Sequence, residues 1–205
     1  MQTPLAAPAG IAGAAPAGPR AVVVLGSTGS VGTQALDVIQ REPGRFRVAG
    51  LVAGGGQIGL LARQVERFRP EVVAVADERA VAELREAVGP SVRVLAGAEG
   101  VAEVAAWPCD VVLNGITGAV GLTSTLAALE AGRVLALANK ESLIIGGPLV
   151  KRLAGPGSIL PVDSEHSALA QCLWAAGPSG YDPAVVRRLV VTASGGRSGG
   201  VSATS

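Results

Sequence analysis

Ala21-Val22-Val23-Val24-Leu25-Gly26-Ser27-Thr28-Gly29-Ser30-Val31-Gly32 is the stretch that decides the fold of this chain. Five consecutive apolar residues, three of them valine, predict a buried strand. The three glycines that follow predict a tight turn, and residues 33–41 carry the spacing of an amphipathic helix. Strand, glycine turn and helix in direct succession form the context a dinucleotide fingerprint requires. Glycines let backbone N–H groups approach a pyrophosphate, and a helix N-terminus adds partial positive charge. A glycine turn alone is weak evidence; with a strand before it and a helix after it, a nucleotide site outweighs a merely tight turn.

Working outward, the same alternation repeats. Short Val/Leu/Ala runs predict strands at 21–25, 47–52, 72–76, 92–95, 110–113 and 134–138, and amphipathic stretches between them predict helices such as 33–41, 59–68, 78–88 and 121–131. Pro43-Gly44, Gly89-Pro90 and Ala131-Gly132 stand where helices stop. Six strands joined by crossover helices predict an α/β fold, a Rossmann-like doubly wound parallel sheet. No internal repeat of fixed period is visible. The expected organisation is a tail over 1–19, a nucleotide-binding domain over 20–150, the start of a catalytic α/β domain over 151–196, and a further tail over 197–205. The first tail is Ala, Pro and Gly with neither a charged start nor a sustained apolar core, so it predicts disorder rather than a signal peptide.

After the second strand the chain reads Gly54-Gly55-Gly56-Gln57. An NAD site usually carries an acid here for the ribose hydroxyls; none is present to repel a 2′-phosphate, so NADP is the expected cofactor. The competing possibility is a flexible loop with no cofactor contact. No arginine stands in the loop itself to receive the extra phosphate.

Composition excludes other classes. Seventeen Lys and Arg against sixteen Asp and Glu leave a formal charge of +1, with no basic stripe for nucleic acid. No apolar run reaches the ~18 residues of a membrane helix. Cys109 and Cys172 sit in apolar contexts and read as reduced, buried thiols. A cytoplasmic protein with a small-molecule substrate is expected.

Two later segments carry chemistry: Asn139-Lys140-Glu141-Ser142 and Pro161-Val162-Asp163-Ser164-Glu165-His166. Alternate residues of an extended strand face the same side, so Asp163 and Glu165 can aim two carboxylates into one pocket and form a hard-metal site. The structural alternative is a capping Asp and a solvated Glu at the start of a helix over 167–176. Lys140 follows the apolar strand 134–138, at the carboxyl end where open α/β sheets bind ligands; a solvated surface lysine is the alternative. Trp107 and Trp174 are expected to pack.

These motifs, together with Ala193-Ser194-Gly195-Gly196, closely resemble the 1-deoxy-D-xylulose 5-phosphate reductoisomerase family. The resemblance runs from about Ala21 to Gly196 and covers about the first half of a family member. It implies an NADPH-dependent, Mn²⁺- or Mg²⁺-dependent step of non-mevalonate isoprenoid synthesis, in which a sugar phosphate is rearranged and reduced to 2-C-methyl-D-erythritol 4-phosphate. Carried over residue by residue, it implies cofactor contacts at Thr28, Gly29, Ser30 and Val31, at Gly54, Gly55, Gly56 and Gln57, and at Asn139 and Glu141. It implies metal ligation by Asp163 and Glu165, and substrate contacts from Lys140, Ser164, Glu165 and Ser194, with Lys140 and Glu165 as the catalytic pair. His166 is implied as a neighbour that orients a carboxylate rather than as a ligand. The family is homodimeric.

Past Gly196 the resemblance stops. Members continue with Pro-Phe-Arg-Gly, a lid and a further metal-binding Glu; this chain reads Arg197-Ser198-Gly199-Gly200. Removing one C from GGC CCG TTC CGG GGG yields GGC CGT TCC GGG GG, which encodes the observed residues. The expectation is therefore a frameshifted or truncated end, disordered and inactive as a reductoisomerase. An inactive NADP-binding remnant thus stands beside the enzyme reading. A semialdehyde dehydrogenase fits less well, because it leaves the Asp163/Glu165 pair unexplained and no cysteine nucleophile motif is visible.

Overall fold

The computed structural model describes residues 18–174, 186–188 and 190. The tail expected over 1–19 lies almost wholly outside the described residues, as do Ser194 and the 197–205 segment. The elements run β1 (Arg20–Leu25), α1 (Ser30–Arg41), β2 (Phe46–Ala53), α2 (Ile58–Phe68), β3 (Val72–Val75), α3 (Val81–Val88), β4 (Arg93–Ala96), α4 (Gly97–Ala105), β5 (Val111–Asn114), α5 (Gly121–Glu130), β6 (Val134–Leu137), α6 (Glu141–Leu153), β7 (Ile159–Pro161) and α7 (Ser164–Trp174).

All pairings among the described strands are parallel, in the order β4-β3-β2-β1-β5-β6-β7. Parallel strands must be buried on both faces, which explains the unbroken valine runs. In β1, Val22 and Val24 face one layer with Leu36, Ile39, Leu61, Val65 and Leu84 of α1, α2 and α3. Val23 and Leu25 face the other, with Val101, Val104, Ala128, Leu129 and Val150 of α4, α5 and α6. Burying one such Leu or Val contributes about 1.5–3 kcal/mol, so the two helical layers hold the sheet between them. The order reverses at β1, where successive crossovers leave to opposite sides and a crevice opens at the carboxyl ends of β1 and β5.

Seven strands stand where six were expected. The seventh, β7, pairs with β6 through Leu135↔Ile159 to Leu137↔Pro161; three residues are too short to announce a strand by periodicity. Residue 150 falls inside α6, and the sheet continues beyond it. Cys109 is half-buried, with its thiol pushed up chiefly by burial, whereas Cys172 is exposed on α7. The expectation that both thiols are buried is thus corrected for Cys172, which lies on the solvent side of its helix. No described helix is long and apolar enough to cross a membrane.

Candidate functional site at the carboxyl edge of the sheet

Three helices, α1, α5 and α6, begin just beyond the carboxyl ends of β1, β5 and β6. The ladder carries into the loops, with Gly26 and Ser27 N–H donating to Val52 O at 2.9 and 2.8 Å and Gly115 N–H donating to Leu25 O at 3.0 Å. Gly26 takes φ +79°, and a β-carbon there would stand 2.9 Å from Gly115 O. At Gly32 a β-carbon would lie 2.2 Å from Gly26 O and 2.6 Å from Ser27 Cα. These two glycines let α1 press against the turn. Gly29 is the N-cap of α1 and supplies no side-chain cap, so the first-turn N–H groups at Ser30 and Val31 are left for a ligand.

The turn is held from behind. Gln64, buried on α2, donates its amide to Ser27 O at 2.9 Å, and Gln57 reaches Thr28 O at 3.5 Å. The glycine loop after β2 is thereby tied to the turn after β1. Around Gly54 and Gly56 an added β-carbon would meet nothing within 4 Å, so the space beside them is open. The loop does not stand clear of acids: Asp77, after β3, lies against Gly55, where a β-carbon would be 2.9 Å from Asp77 Cβ. The carboxylate absent from the loop's own sequence is supplied by a neighbour in space.

Asn139 and Glu141 flank Lys140 at the start of α6. Asn139 is 2% exposed; its amide nitrogen donates to Ile116 O and to Gly118 O, and its oxygen accepts from Ser142 N–H and Oγ–H, both at 2.7 Å. Thr125 Oγ donates to Ser142 Oγ at 3.2 Å, and Asn114 donates to Thr125 Oγ and Gly121 O, each at 3.0 Å. This buried network pins the 115–120 loop to the start of α6. Its side chains are spent on protein groups, which leaves the exposed Lys140 and half-buried Glu141 as the outward-facing members.

Lys140, Asp163 and His166 line one cavity of about 340 Å³, whose walls are Leu137, Pro161, Leu173 and Trp174 among others. Ser164 and Glu165 lie on the same turn but outside its lining. The extended-strand placement of Asp163 and Glu165 is corrected here. Asp163 caps α7, accepting from His166 N–H at 3.1 Å, and Glu165 sits in the first helical turn, taking a hydrogen bond from Ser164 Oγ at 2.8 Å. The chain turns helical at Ser164 because an Asp followed by Ser-Glu is an N-terminal signature, stronger than the short apolar run before it. His166 Nδ1 lies 2.6 Å from Asp163 Oδ1. Burial pushes the Asp163 carboxyl up, but the His166 amide and ring and the Lys140 charge outweigh it, so the acid sits below its ordinary range.

The fold and crevice define a doubly wound, Rossmann-like α/β protein with its candidate site at the topological switch point. A sequence family described as 1-deoxy-D-xylulose 5-phosphate reductoisomerase matches residues 22–147, and that family's C-terminal domain matches residues 159–204. The chain belongs to the 1-deoxy-D-xylulose 5-phosphate reductoisomerase family. It is 60% identical over 186 residues to the reductoisomerase of Streptomyces coelicolor, covering 87% of this chain and 43% of that relative. A solved reductoisomerase in complex with magnesium superimposes with TM-score 0.73 at 38% identity, over 78% of this chain and 41% of that one. The reductoisomerase of Zymomonas mobilis in complex with NADPH gives 0.69 at 40% identity, over 73% and 40%. The chain spans less than half the length of these relatives.

Proposed function

We propose that this chain carries the NADPH-binding half of a 1-deoxy-D-xylulose 5-phosphate reductoisomerase and part of its substrate and metal site. The observation that carries the nucleotide reading is the cradle at Gly26, Gly29 and Gly32: Gly26 and Gly32 leave no room for a β-carbon and so let α1 press against the turn, and the uncapped helix presents its first N–H groups there. NADPH fits this cradle: Thr28, Gly29, Ser30 and Val31 would surround the pyrophosphate, and Gly54, Gly55, Gly56 and Gln57 the adenosine ribose. When bound, NADPH supplies the hydride of the reduction.

At the other end of the crevice, Asn139 holds the loop that borders the nicotinamide half, and Glu141 stands beside it. Lys140 brings a positive charge to the mouth of the cavity, suited to an oxyanion of a sugar phosphate. Ser164 and Glu165 offer a hydroxyl and a carboxylate on the turn next to it, and Ser194 is the proposed phosphate contact from outside the described residues. Asp163 and Glu165 are hard oxygen donors of the kind Mg²⁺ and Mn²⁺ take. They fit in kind and not in number, since no group of three metal-ligating side chains forms among the described residues. Asp163 is held ready by His166, which orients one carboxylate oxygen and leaves the other free.

Titration of the purified chain with NADPH, followed by nucleotide fluorescence, tests the reading. Saturable binding supports it, and tighter binding of NADH than of NADPH would reject it.

A further inference from the structure

The turn after β3 lies clamped against the glycine loop after β2. Ala76 and Asp77 N–H groups donate to Ala53 O and Gly54 O, both at 3.0 Å, and Gly55 adopts φ +116° with no room for a side chain on its Asp77 flank. An acid at this place would ordinarily favour a free ribose hydroxyl and repel a phosphate. Its carboxylate is, however, already taken. Arg79 Nε donates to Asp77 Oδ1 at 3.0 Å and Arg79 Nη2 to Oδ2 at 2.9 Å, while the Arg79 backbone N–H donates to Oδ1 at 3.0 Å. The guanidinium fork closes on both oxygens, yet the Arg79 side chain remains 90% exposed.

Such a guanidinium has donors left over, and its planar face is free. Arginine suits a phosphate dianion because its fork matches two phosphate oxygens and its plane stacks on an aromatic base. The neighbouring space at Gly54 and Gly56 is open, so a phosphate on the ribose has somewhere to sit. Resting on the nucleotide reading above, we infer that Arg79 is the residue that selects NADPH over NADH in this chain, neutralising Asp77 and receiving the 2′-phosphate. The selecting charge thus comes from the end of β3 and not from the β2 loop, which explains how a loop of three glycines can discriminate.

The test compares NADPH and NADH affinities of the full chain with those of Arg79→Ala, Arg79→Lys and Arg63→Ala, by nucleotide fluorescence at fixed salt. Arg63 is the control because its guanidinium lies beside Gly59, one turn into α2. Arg79→Ala is expected to weaken NADPH roughly 10- to 100-fold, the loss of hydrogen bonds to a charged group, with NADH changed less than about twofold. Arg79→Lys keeps the charge without the fork and is expected to fall between. Thermal melting of each variant, expected to be unchanged for these exposed side chains, separates misfolding from lost recognition. An unchanged NADPH-to-NADH ratio in Arg79→Ala, or a collapse of that ratio in Arg63→Ala instead, would overturn the inference alone. Binding of neither nucleotide by the unmodified chain would overturn the nucleotide reading and the inference with it.

Discussion

Asn139 Oδ1 accepts both the backbone N–H and the hydroxyl of Ser142, each at 2.7 Å, while the other end of the same amide holds the 115–120 loop. One buried side chain therefore fixes the start of α6 to the loop after β5 and sets where Lys140 emerges. Asn139→Ala strands the buried Ser142 N–H and the carbonyls of the half-buried Ile116 and Gly118. The expected loss is about 1–3 kcal/mol of stability, read by urea unfolding. Asn139→Asp is expected to be at least as costly, because it places a carboxylate against the carbonyls of Ile116 and Gly118.

The glycine cradle gives a contrast between two substitutions. Gly32→Ala drives a methyl into Gly26 O and Ser27 Cα, both backbone, and is expected to cost about 1–3 kcal/mol by overpacking. Gly29→Asp has a free N-cap position and only Gly26 O at 3.3 Å, so it is expected to leave the melting temperature unchanged or raised. It should nonetheless abolish NADPH binding, because its carboxylate occupies the N–H groups meant for the pyrophosphate. Retained NADPH affinity in Gly29→Asp would move the site elsewhere.

At the opposite edge of the sheet Glu71 accepts from Trp107 Nε1 at 3.0 Å and pairs with Arg47 at 2.7 Å. The Trp107 hydrogen bond, then that of Arg47, holds the Glu71 carboxyl below its ordinary value of 4.5. A depressed acid contributes stability that is present above its unfolded value and lost as pH falls through its folded value. Trp107 emission, in a Trp174→Phe background, should therefore change as pH drops below about 4.5, and Glu71→Gln should remove that change. The effect on stability is small, since both partners are half exposed and screened by solvent.

Two carboxylates make a weak hard-metal site, because affinity for Mg²⁺ or Mn²⁺ rises with ligand charge and number. Mn²⁺ binding by the chain alone, measured by electron paramagnetic resonance, is expected in the ~millimolar range. Asp163→Ala should weaken it further while leaving NADPH binding unchanged. Micromolar Mn²⁺ affinity that survives Asp163→Ala would refute the assignment.

The sheet was legible because valine runs and helix spacing recur along the chain, and the Gly26–Gly32 turn was legible because its glycines stand between a strand and a helix. Contacts between distant segments left no such mark. Asp77 meets Gly55 across twenty-two residues, and Asn114, Thr125, Asn139 and Ser142 join from three separate segments. A further long-range contact, from Gln64 to Ser27 O, did leave a signal: Gln64 is a polar residue on the apolar face of α2 beside Leu61 and Val65, the pattern of a buried side chain with a partner to hold. Asp163 and Glu165 were legible as a pair with two arrangements open, a strand of period two or a capping Asp and a solvated Glu at a helix start, and the capping preference of Asp163 prevailed.

Amide hydrogen exchange with and without saturating NADPH reports where the nucleotide sits as well as whether it binds. Slowed exchange is expected over residues 26–33 and 54–57, with the adjoining Asp77–Arg79 turn also protected. Unchanged exchange at the glycine turn, with protection confined to other parts of the sheet, would contradict it.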